Sequence, residues 1–244
     1  MGYKAKQRCT SFIIHAILII GSIGMLLPFA WMVLTAVKTR SQAISVNPFY
    51  FFPVDGWHFE NFATVWESYN FLILYKNTLL MILFRVALAC ITATMAGYAF
   101  GRLKFPGKNA FFALILIQMM VPGQIFIIPQ YLMISKLGML NTQFALVFPG
   151  AVTAFGTYLL KQGYQTLPKE LEEAAEIDGC NVWMRFYKIM LPLTKSSMVS
   201  LGIFTALFAY KDMMWPMIVC NKSTTTTLSA ALAKLQSQFN TNYP

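Results

Sequence analysis

The sequence predicts an all-α polytopic membrane protein, and three observations predict it. Hydrophobic residues make up 57% of the 244 residues and charged residues only 11%, which is too little polar surface for a soluble globule. Five apolar runs are long enough for a helix, which rises ~1.5 Å per residue, to cross about 30 Å of hydrocarbon. These runs lack the period-two alternation that is typical of barrel strands.

We therefore predict five transmembrane helices. The first follows the basic segment "MGYKAKQR" and is too long for a removable signal peptide. The five spans cover residues 12–36, 78–100, 110–128, 144–160 and 197–220. Pro122 and Pro129 are expected to kink the third span, and a broken helix there would expose backbone polar groups to a cavity.

The distribution of Lys and Arg predicts a cytoplasmic N-terminus. With that orientation, 11 of these residues lie in inner segments, 7 in outer segments and one, Arg85, inside a span. The net charge of +10 then needs no nucleic acid, which would require a basic face on a soluble fold. Residues 1–244 are interpreted as a single transmembrane domain, with an outer loop at 37–76 and an inner loop at 161–195.

The sequence predicts no catalytic residue, no metal site and no cofactor held by this chain. Its four cysteines lie in separate regions without metal-type spacing: Cys9, Cys90, Cys180 and Cys220. His15 and His58 are isolated, and neither a nucleophile elbow nor a phosphate-binding Walker motif occurs.

The outer loop is rich in aromatic residues. It contains the segments "NPFYFFP" and "GWHFENF". We interpret them as an aromatic belt or a short amphipathic helix at the membrane interface. The alternative is a docking platform for an external partner.

The inner loop concentrates five of the nine acidic residues of the chain: Glu170, Glu172, Glu173, Glu176 and Asp178. Local signals predict two helices. Pro168 suits the first turn of the first helix, and Gly179 suits a left-handed C-terminal cap. The second helix, "NVWMRFYKIMLP", is expected to stop at Pro192.

The same loop carries a spaced pattern: E-A-A, three residues, G, nine residues, I, one residue, and L-P. The pattern is supplied by Glu173, Ala174, Ala175, Gly179, Ile189, Leu191 and Pro192. This loop resembles the coupling loop of the membrane subunit of bacterial ATP-binding cassette (ABC) importers. Other segments resemble the carbohydrate branch, close to the smaller membrane subunit of maltose-type systems: "NTLLM", "YAFGRLKFPGK", "VPGQIFIIPQY", "LGMLNT" and "DMMWPMIV".

The resemblance implies a type I ABC importer permease in the bacterial inner membrane, carrying a sugar or sugar-like solute. Its partners would be a second permease subunit, membrane lipid, an extracytoplasmic substrate-binding protein and homodimeric or heterodimeric ATPase subunits that bind ATP and Mg²⁺. The motif residues, together with Asp178, are then expected to couple the permease to the ATPase.

Two places are predicted for the substrate path. One is the broken third span, with Gln118, Pro122 and Gln124. The other is the end of the fifth span, where four residues either line the path or mark the end of the apolar run: Tyr210, Lys211, Asp212 and Trp215. Family members usually carry Trp-Asn in place of Tyr210 and Lys211, and the lysine suggests a different or anionic solute.

Arg85 lies in a helix that is normally apolar in this family. An unpaired ionisable group in a membrane costs at least ~2.5 kcal/mol, so a role in transport is one interpretation. We favour snorkelling, or pairing with the partner subunit.

Two expectations concern the chain end and the alternative function. Relatives enter a sixth helix where this chain ends in "QSQFNTNYP", so we expect that helix to be missing. The alternative function is an ATP-independent secondary transporter or channel subunit. It is disfavoured because Asp212 is the only acidic residue in a predicted span, and the lack of paired polar catalytic groups disfavours a membrane enzyme.

Overall fold

The computed structural model describes residues 2–237, and within them every regular element is a helix. The helices are α1 Gly2–Ala36, α2 Arg40–Ile44, α3 Glu60–Ser68, α4 Phe71–Arg102, α5 Lys108–Met120, α6 Ile127–Lys136, α7 Gln143–Val147, α8 Ala154–Gln165, α9 Glu170–Ile177, α10 Val182–Met184, α11 Leu191–Leu193, α12 Lys195–Lys211, α13 Met214–Val219 and α14 Leu228–Ser237. Two 3-10 turns, Gly123–Phe126 and Phe148–Gly150, and a π-helical stretch, Arg185–Met190, join neighbouring helices. The all-α prediction is confirmed. The sequence after Ser237, where a sixth span is expected, lies outside the described residues.

The described part of the chain separates into two compact units, residues 2–70 with Ser237 and residues 71–236. In the first unit, α1 is followed by a hydrogen-bonded loop that includes α2 and α3. In the second unit, α4 is the central helix and packs against α8 and α12.

Two described helices are continuous membrane spans by length and composition, Thr10–Ala36 within α1 and Phe71–Arg102. The number reaches five if each of three bent helix pairs counts as one span. The bends are 100° between Lys108–Met120 and Gly123–Lys136, 48° between Gln143–Gly150 and Ala154–Gln165, and 73° between Val182–Leu193 and Lys195–Lys211. The predicted fourth span, 144–160, is therefore interrupted at the 48° bend. The predicted fifth span, 197–220, is also interrupted, because α12 ends at Lys211 and α13 begins at Met214.

Proline explains the sharpest bend. α5 ends at Met120, and Val121 before Pro122 is extended, because a residue that precedes proline is disfavoured in the helical region. The kink predicted at Pro122 is confirmed. Pro129 produces no bend because it is the third residue of α6, where a backbone N–H has no intrahelical partner to lose.

Polar side chains mark the breaks within the predicted fourth and fifth spans. Thr153 is extended and its hydroxyl accepts the N–H of Gly156 at 3.2 Å, which starts α8 anew after the Phe148–Gly150 turn. Asp212 is also extended and ends α12. The predicted fifth span is consequently divided between α12 and α13.

A close contact between α4 and α8 is built on small residues. A Cβ atom at Gly97 would lie 2.7 Å from the Cβ of Leu160 and 2.9 Å from the backbone N of Lys161. A Cβ atom at Gly156 would lie 3.0 Å from the Cβ of Ala93. Small residues at such positions let membrane helices approach each other closely.

The two ends of α4 contact different parts of the chain. Near its start, Asn77 Nδ2 donates to the carbonyls of Thr224 at 2.9 Å and Thr226 at 3.1 Å. Near its other end, Tyr98 joins a buried cluster with Tyr164 and residues of the inner loop. Residues 220–228 and residues 161–195 therefore lie at opposite ends of a helix long enough to cross a membrane, as the predicted topology requires.

We expect Gly97→Ala to lower the melting temperature of the protein purified in detergent. The added methyl group would meet backbone atoms of α8, and such overpacking costs about 1–3 kcal/mol. Gly202→Ala on α12 is the matched control, because its Cβ would meet only Val86 Cγ1 at 3.6 Å. Equal melting temperatures for the two variants would contradict the close α4–α8 contact.

Candidate functional site

The C-terminal end of α9 is closed by a Schellman motif. Gly179 has φ +77°, and its N–H donates to the carbonyl of Glu176 at 3.0 Å. The N–H of Cys180 donates to the carbonyl of Ala175 at 2.9 Å. These bonds use carbonyls that a helix end leaves free, and glycine adopts a positive φ without strain. The predicted left-handed cap at Gly179 is confirmed.

The other end of α9 is acidic. Glu170, Glu172 and Glu173 lie in its first turn, where free backbone N–H groups favour negative charge. Pro168 lies before the helix rather than in its first turn as predicted, because α9 begins at Glu170.

One face of α9 and its cap is exposed. We call it the α9 surface, and it consists of Glu173, Ala174, Ile177, Asp178 and Gly179. Ile177 is 87% exposed although it is apolar and lies outside the predicted spans. The surface thus combines an apolar side chain, two carboxylates and two residues small enough for close approach.

Glu172 attaches α9 to the end of α4. The Tyr98 hydroxyl donates to Glu172 Oε1 at 2.9 Å, and Arg102 Nε lies 3.4 Å from Glu172 Oε2. Arg102 Nη2 also donates to the carbonyl of Leu167, in the connection between α8 and α9. The ion pair is shielded from water, since the Arg102 side chain is 6% exposed and the Glu172 side chain 15%.

A second ion pair joins α9 to the next helical segment. Arg185 Nη1 lies 2.6 Å from Glu176 Oε2, which links the last turn of α9 to the helical segment that follows it. The following segment begins at Asn181, whose side chain accepts the N–H of Met184 at 2.9 Å.

Pro192 does not stop the second helix, contrary to the prediction. The segment Val182–Leu193 runs through it because Arg185–Met190 is π-helical. A wider turn accommodates the proline ring, which in a regular α-helix clashes with the carbonyl four residues earlier. The bend comes later, at Thr194.

The predicted coupling motif is divided between surface and interior. Ala175 is 4% exposed, and Ile189 and Leu191 pack against the cluster that contains Tyr98 and Tyr164. These three residues therefore hold the loop together rather than present a surface to a partner. The other motif residues are exposed. Glu173, Ala174 and Gly179 belong to the α9 surface, and Pro192 lies outside it.

Arg85 is paired within this chain. Its Nη1 lies 2.8 Å from Asp212 Oδ2, and its Nε donates to the carbonyl of Leu146 at 2.8 Å. Asp212 Oδ1 accepts the backbone N–H of Trp215 at 3.3 Å. The expectation that Arg85 snorkels or pairs with a partner subunit is wrong, because its acidic partner lies 127 residues later in the same chain.

A cavity of about 400 Å³ lies beside Arg85. Its walls combine polar side chains with aromatic rings: Arg85, Gln118, Thr153, Thr205, Phe204 and Phe208. Cavities of about 300–1,000 Å³ with mainly apolar walls and a few polar groups are typical of small-molecule sites. α4, α5, α8 and α12 all contribute to these walls.

The residues predicted for the substrate path divide into three groups. Gln118 lines the cavity, and Asp212 holds the cavity residue Arg85. Trp215 lies in the core instead, because it is 4% exposed and its indole N–H donates to a backbone carbonyl of α7 at 2.7 Å. The other four are not part of the cavity wall, and their role stays a prediction: Pro122, Gln124, Tyr210 and Lys211.

Comparison with known proteins identifies the family. Residues 91–243 match the family described as "Binding-protein-dependent transport system inner membrane component". The chain belongs to this family. It is a transport permease of the inner membrane, and membership implies a substrate-binding protein and an ATPase as partners.

The permease is similar to permeases for different solutes. It is 25% identical over 238 residues to the lactose transport system permease protein of Rhizobium radiobacter, covering 98% of this chain and 86% of the relative. It is 30% identical over 238 residues to the sn-glycerol-3-phosphate transport system permease protein of Yersinia enterocolitica, covering 94% and 83%.

A solved structure shares the fold of the permease. It is the crystal structure of a bacterial ABC transporter involved in the import of the acidic polysaccharide alginate, with a TM-score of 0.79 and 22% identity. The similarity covers 98% of this chain and 84% of that chain. The type I importer permease fold is therefore confirmed.

Three residues that attach α9 to the rest of the permease are not predicted as site residues from the sequence: Tyr98, Arg102 and Glu172. A signal for two of them is present in "YAFGRLKFPGK". Tyr98 and Arg102 are four residues apart, which places them on one face at the end of a helix. Their acidic partner is not evident, because five acidic residues compete for that role in the inner loop.

We expect Glu172→Ala to increase amide hydrogen exchange in α9 about tenfold or more. A hydrogen bond to a charged group contributes about 1.5–3 kcal/mol, and this variant loses one together with an ion pair. Glu170→Ala is the matched control, because it removes an exposed carboxylate from the same turn. Exchange measured by mass spectrometry on the purified permease checks this, and unchanged protection in Glu172→Ala would refute the anchoring role.

Proposed function

We propose that this permease is the membrane subunit of an ATP-driven importer for a sugar or sugar-like solute, and that α9 is its contact with the ATPase. One observation carries the proposal. α9 is attached to α4 through Glu172, and it leads through residues 182–194 into α12. Both α4 and α12 line the cavity. A displacement of α9 therefore has a direct mechanical route to the cavity walls.

The α9 surface supports docking. Contact with a partner would remove the exposed side chain of Ile177 from water, which is favourable. Ala174 and Gly179 permit close approach by a partner backbone, and Glu173 and Asp178 offer carboxylates to its donors. The Schellman cap keeps these residues in a fixed arrangement before the partner arrives, which reduces the ordering cost of binding.

The distribution of charges supports an orientation for this proposal. The Lys and Arg distribution favours a cytoplasmic N-terminus, and in that orientation residues 161–195 face the cytoplasm, where an ATPase operates. ATP and Mg²⁺ would be held by the ATPase, not by this chain. A homodimeric or heterodimeric pair of ATPase subunits would close on ATP and move the docked α9.

The movement would change the access of the cavity. Through Glu172 it would reach α4 and Arg85, and through the bend at Thr194 it would reach Phe204 and Thr205 on α12. A second permease subunit would complete the path, and an extracytoplasmic binding protein would release the solute into it. Alternation between inward-facing and outward-facing states is then a shift between two packed arrangements.

The cavity chemistry suits a sugar. Aromatic rings can contact the apolar faces of a sugar ring, and the donors of Arg85, Gln118 and Thr205 can contact its hydroxyl groups. Relatives named for lactose and for arabinooligosaccharide transport support this solute class.

We expect Ile177→Asp and Gly179→Asp each to reduce the amount of co-purifying ATPase at least tenfold. Both variants should still insert into the membrane. The first adds a charge to the apolar part of the α9 surface, and the second forces a side chain onto a positive φ. Co-purification of the tagged permease with its co-expressed ATPase, followed by mass spectrometry, measures the effect.

The control for these variants is Gln165→Glu, which adds a negative charge at an exposed position on the same side of the membrane. It should retain the ATPase. Retention of the ATPase by both α9 variants would refute the docking assignment. An absence of ATPase from the unaltered permease would favour an ATP-independent transporter.

A cysteine introduced at Thr205 should react with a membrane-impermeant thiosulfonate reagent, because Thr205 lines the cavity. Leu207→Cys on the same helix is the matched control, because Leu207 is 50% exposed but lies outside the cavity wall and is expected to face lipid. Labelling in membranes of a variant without native cysteines checks this. Equal reactivity at the two positions would contradict a water-filled path beside α12.

A further inference from the structure

An aromatic segment after α1 folds back onto that helix. Phe49 stacks on Trp31 with 5.2 Å between ring centroids and 6° between planes, and Phe51 lies 5.7 Å from the same ring. Phe52 contacts Phe51 edge-on at 5.0 Å. We call residues 46–54 the aromatic hook. The hook returns to the level of Trp31 although α1 continues to Ala36.

A buried lysine holds the hook in place. Lys38 is 0% exposed, its Nζ donates to the carbonyl of Tyr50 at 2.7 Å, and the same ammonium lies 4.1 Å from the Trp31 ring centroid. Burial lowers the pKa of this ammonium from its usual value. The contact with the ring face and the carbonyl compensates for part of the lost hydration.

A buried glutamine closes the other end of the hook. The Gln42 side chain donates to Asp55, and its carbonyl oxygen accepts the N–H of Val54 at 3.3 Å. The hook is therefore tied on both sides to the residues that follow α1.

The depth of Trp31 follows from the length of the span. Thr10–Ala36 has 27 residues, or about 40 Å at ~1.5 Å per residue, which exceeds the ~30 Å of hydrocarbon by roughly 5 Å at each end. Trp31 lies five residues before the end, about 7–8 Å from it. It is thus near the boundary between acyl chains and headgroups, and the rings stacked on it are at the same depth.

The exposed side of the hook is mainly apolar and carries no charge, with Asn47 as an exposed polar residue. Phe52 is 60% exposed and Val46 is 85% exposed, and residues 41–54 contain no charged side chain. This surface continues the exposed apolar surface of α1, where the side chains of the spanning segment are unburied. Trp and Tyr are enriched at this level of a bilayer, and this region contains Trp31 and Tyr50.

We propose that the aromatic hook inserts into the lipid interface at the Ala36 end of α1 and anchors the following loop to the membrane surface. The occupant of its exposed face is the acyl–headgroup boundary of the bilayer. The insertion itself is independent of the proposed transport function. The orientation proposed above would put this end of α1 at the outer leaflet, and only that placement rests on the proposed function. A docking site for an external protein is the competing occupant.

The test measures the depth of a nitroxide spin label in the complete permease complex, in vesicles of phosphatidylcholine and phosphatidylglycerol. The four native cysteines are replaced by alanine, and the label is placed at Phe52→Cys. Collisions with O₂, which partitions into lipid, are compared with collisions with a water-soluble nickel chelate. Ile19→Cys on α1 provides the hydrocarbon reference, and Gln165→Cys in the exposed inner segment provides the water reference.

We expect the O₂-to-nickel collision ratio at residue 52 to be at least fivefold higher than at residue 165 and lower than at residue 19. A ratio equal to that at residue 165 would overturn the proposal, because the hook would then lie in water. Protection of residue 52 from both reagents would also overturn it and indicate a covering protein. If Phe52→Cys does not assemble, Val46→Cys gives the same measurement, since Val46 lies in the hook and is 85% exposed.

Discussion

The close contact between α4 and α8 at Gly97 is the constraint on which the rest of the second unit depends. α4 has 32 residues and is about 48 Å long, which is long enough to cross a membrane. It binds partners at three levels, through Asn77 near its start, Arg85 near its middle and Arg102 at its end. Because these partners come from distant parts of the chain, the position of α4 against α8 determines how the cavity and α9 are related.

The Arg85–Asp212 pair and the break between α12 and α13 explain each other. A charged group near the middle of a membrane helix is costly, and the cost falls when it is paired and hydrogen-bonded. Asp212 can serve two donors because it leaves the helix, with one oxygen on Arg85 and the other on the N–H of Trp215. The break that interrupts an otherwise apolar span thus supplies the counter-ion, and it does so beside the cavity proposed for the solute.

The spaced motif of the inner loop combines two physical tasks. Ala175 is buried, and the partly buried Ile189 and Leu191 pack against the inner cluster, so these residues determine where the loop lies. Ala174 and Gly179 are exposed, and in the proposed complex they would determine how closely the ATPase can approach. A rigid attachment and an accessible surface are both required if force is to pass from one protein into another. The anchoring pair of Glu172 and Arg102 provides the first, outside the motif itself.

The sequence alone determined the fold class, the number of apolar runs, the inner loop and its family, because these depend on local composition and on identities at short spacing. It also determined the cap at Gly179, since a positive φ there follows from a local helix ending. Only the tertiary structure decided that Arg85 pairs with Asp212, that Glu172 anchors α9 and that Trp215 belongs to the core. The physical reason is distance along the chain, because these contacts join residues 70 or more positions apart. A local sequence pattern does not determine which of several distant acidic residues or carbonyl groups a side chain contacts.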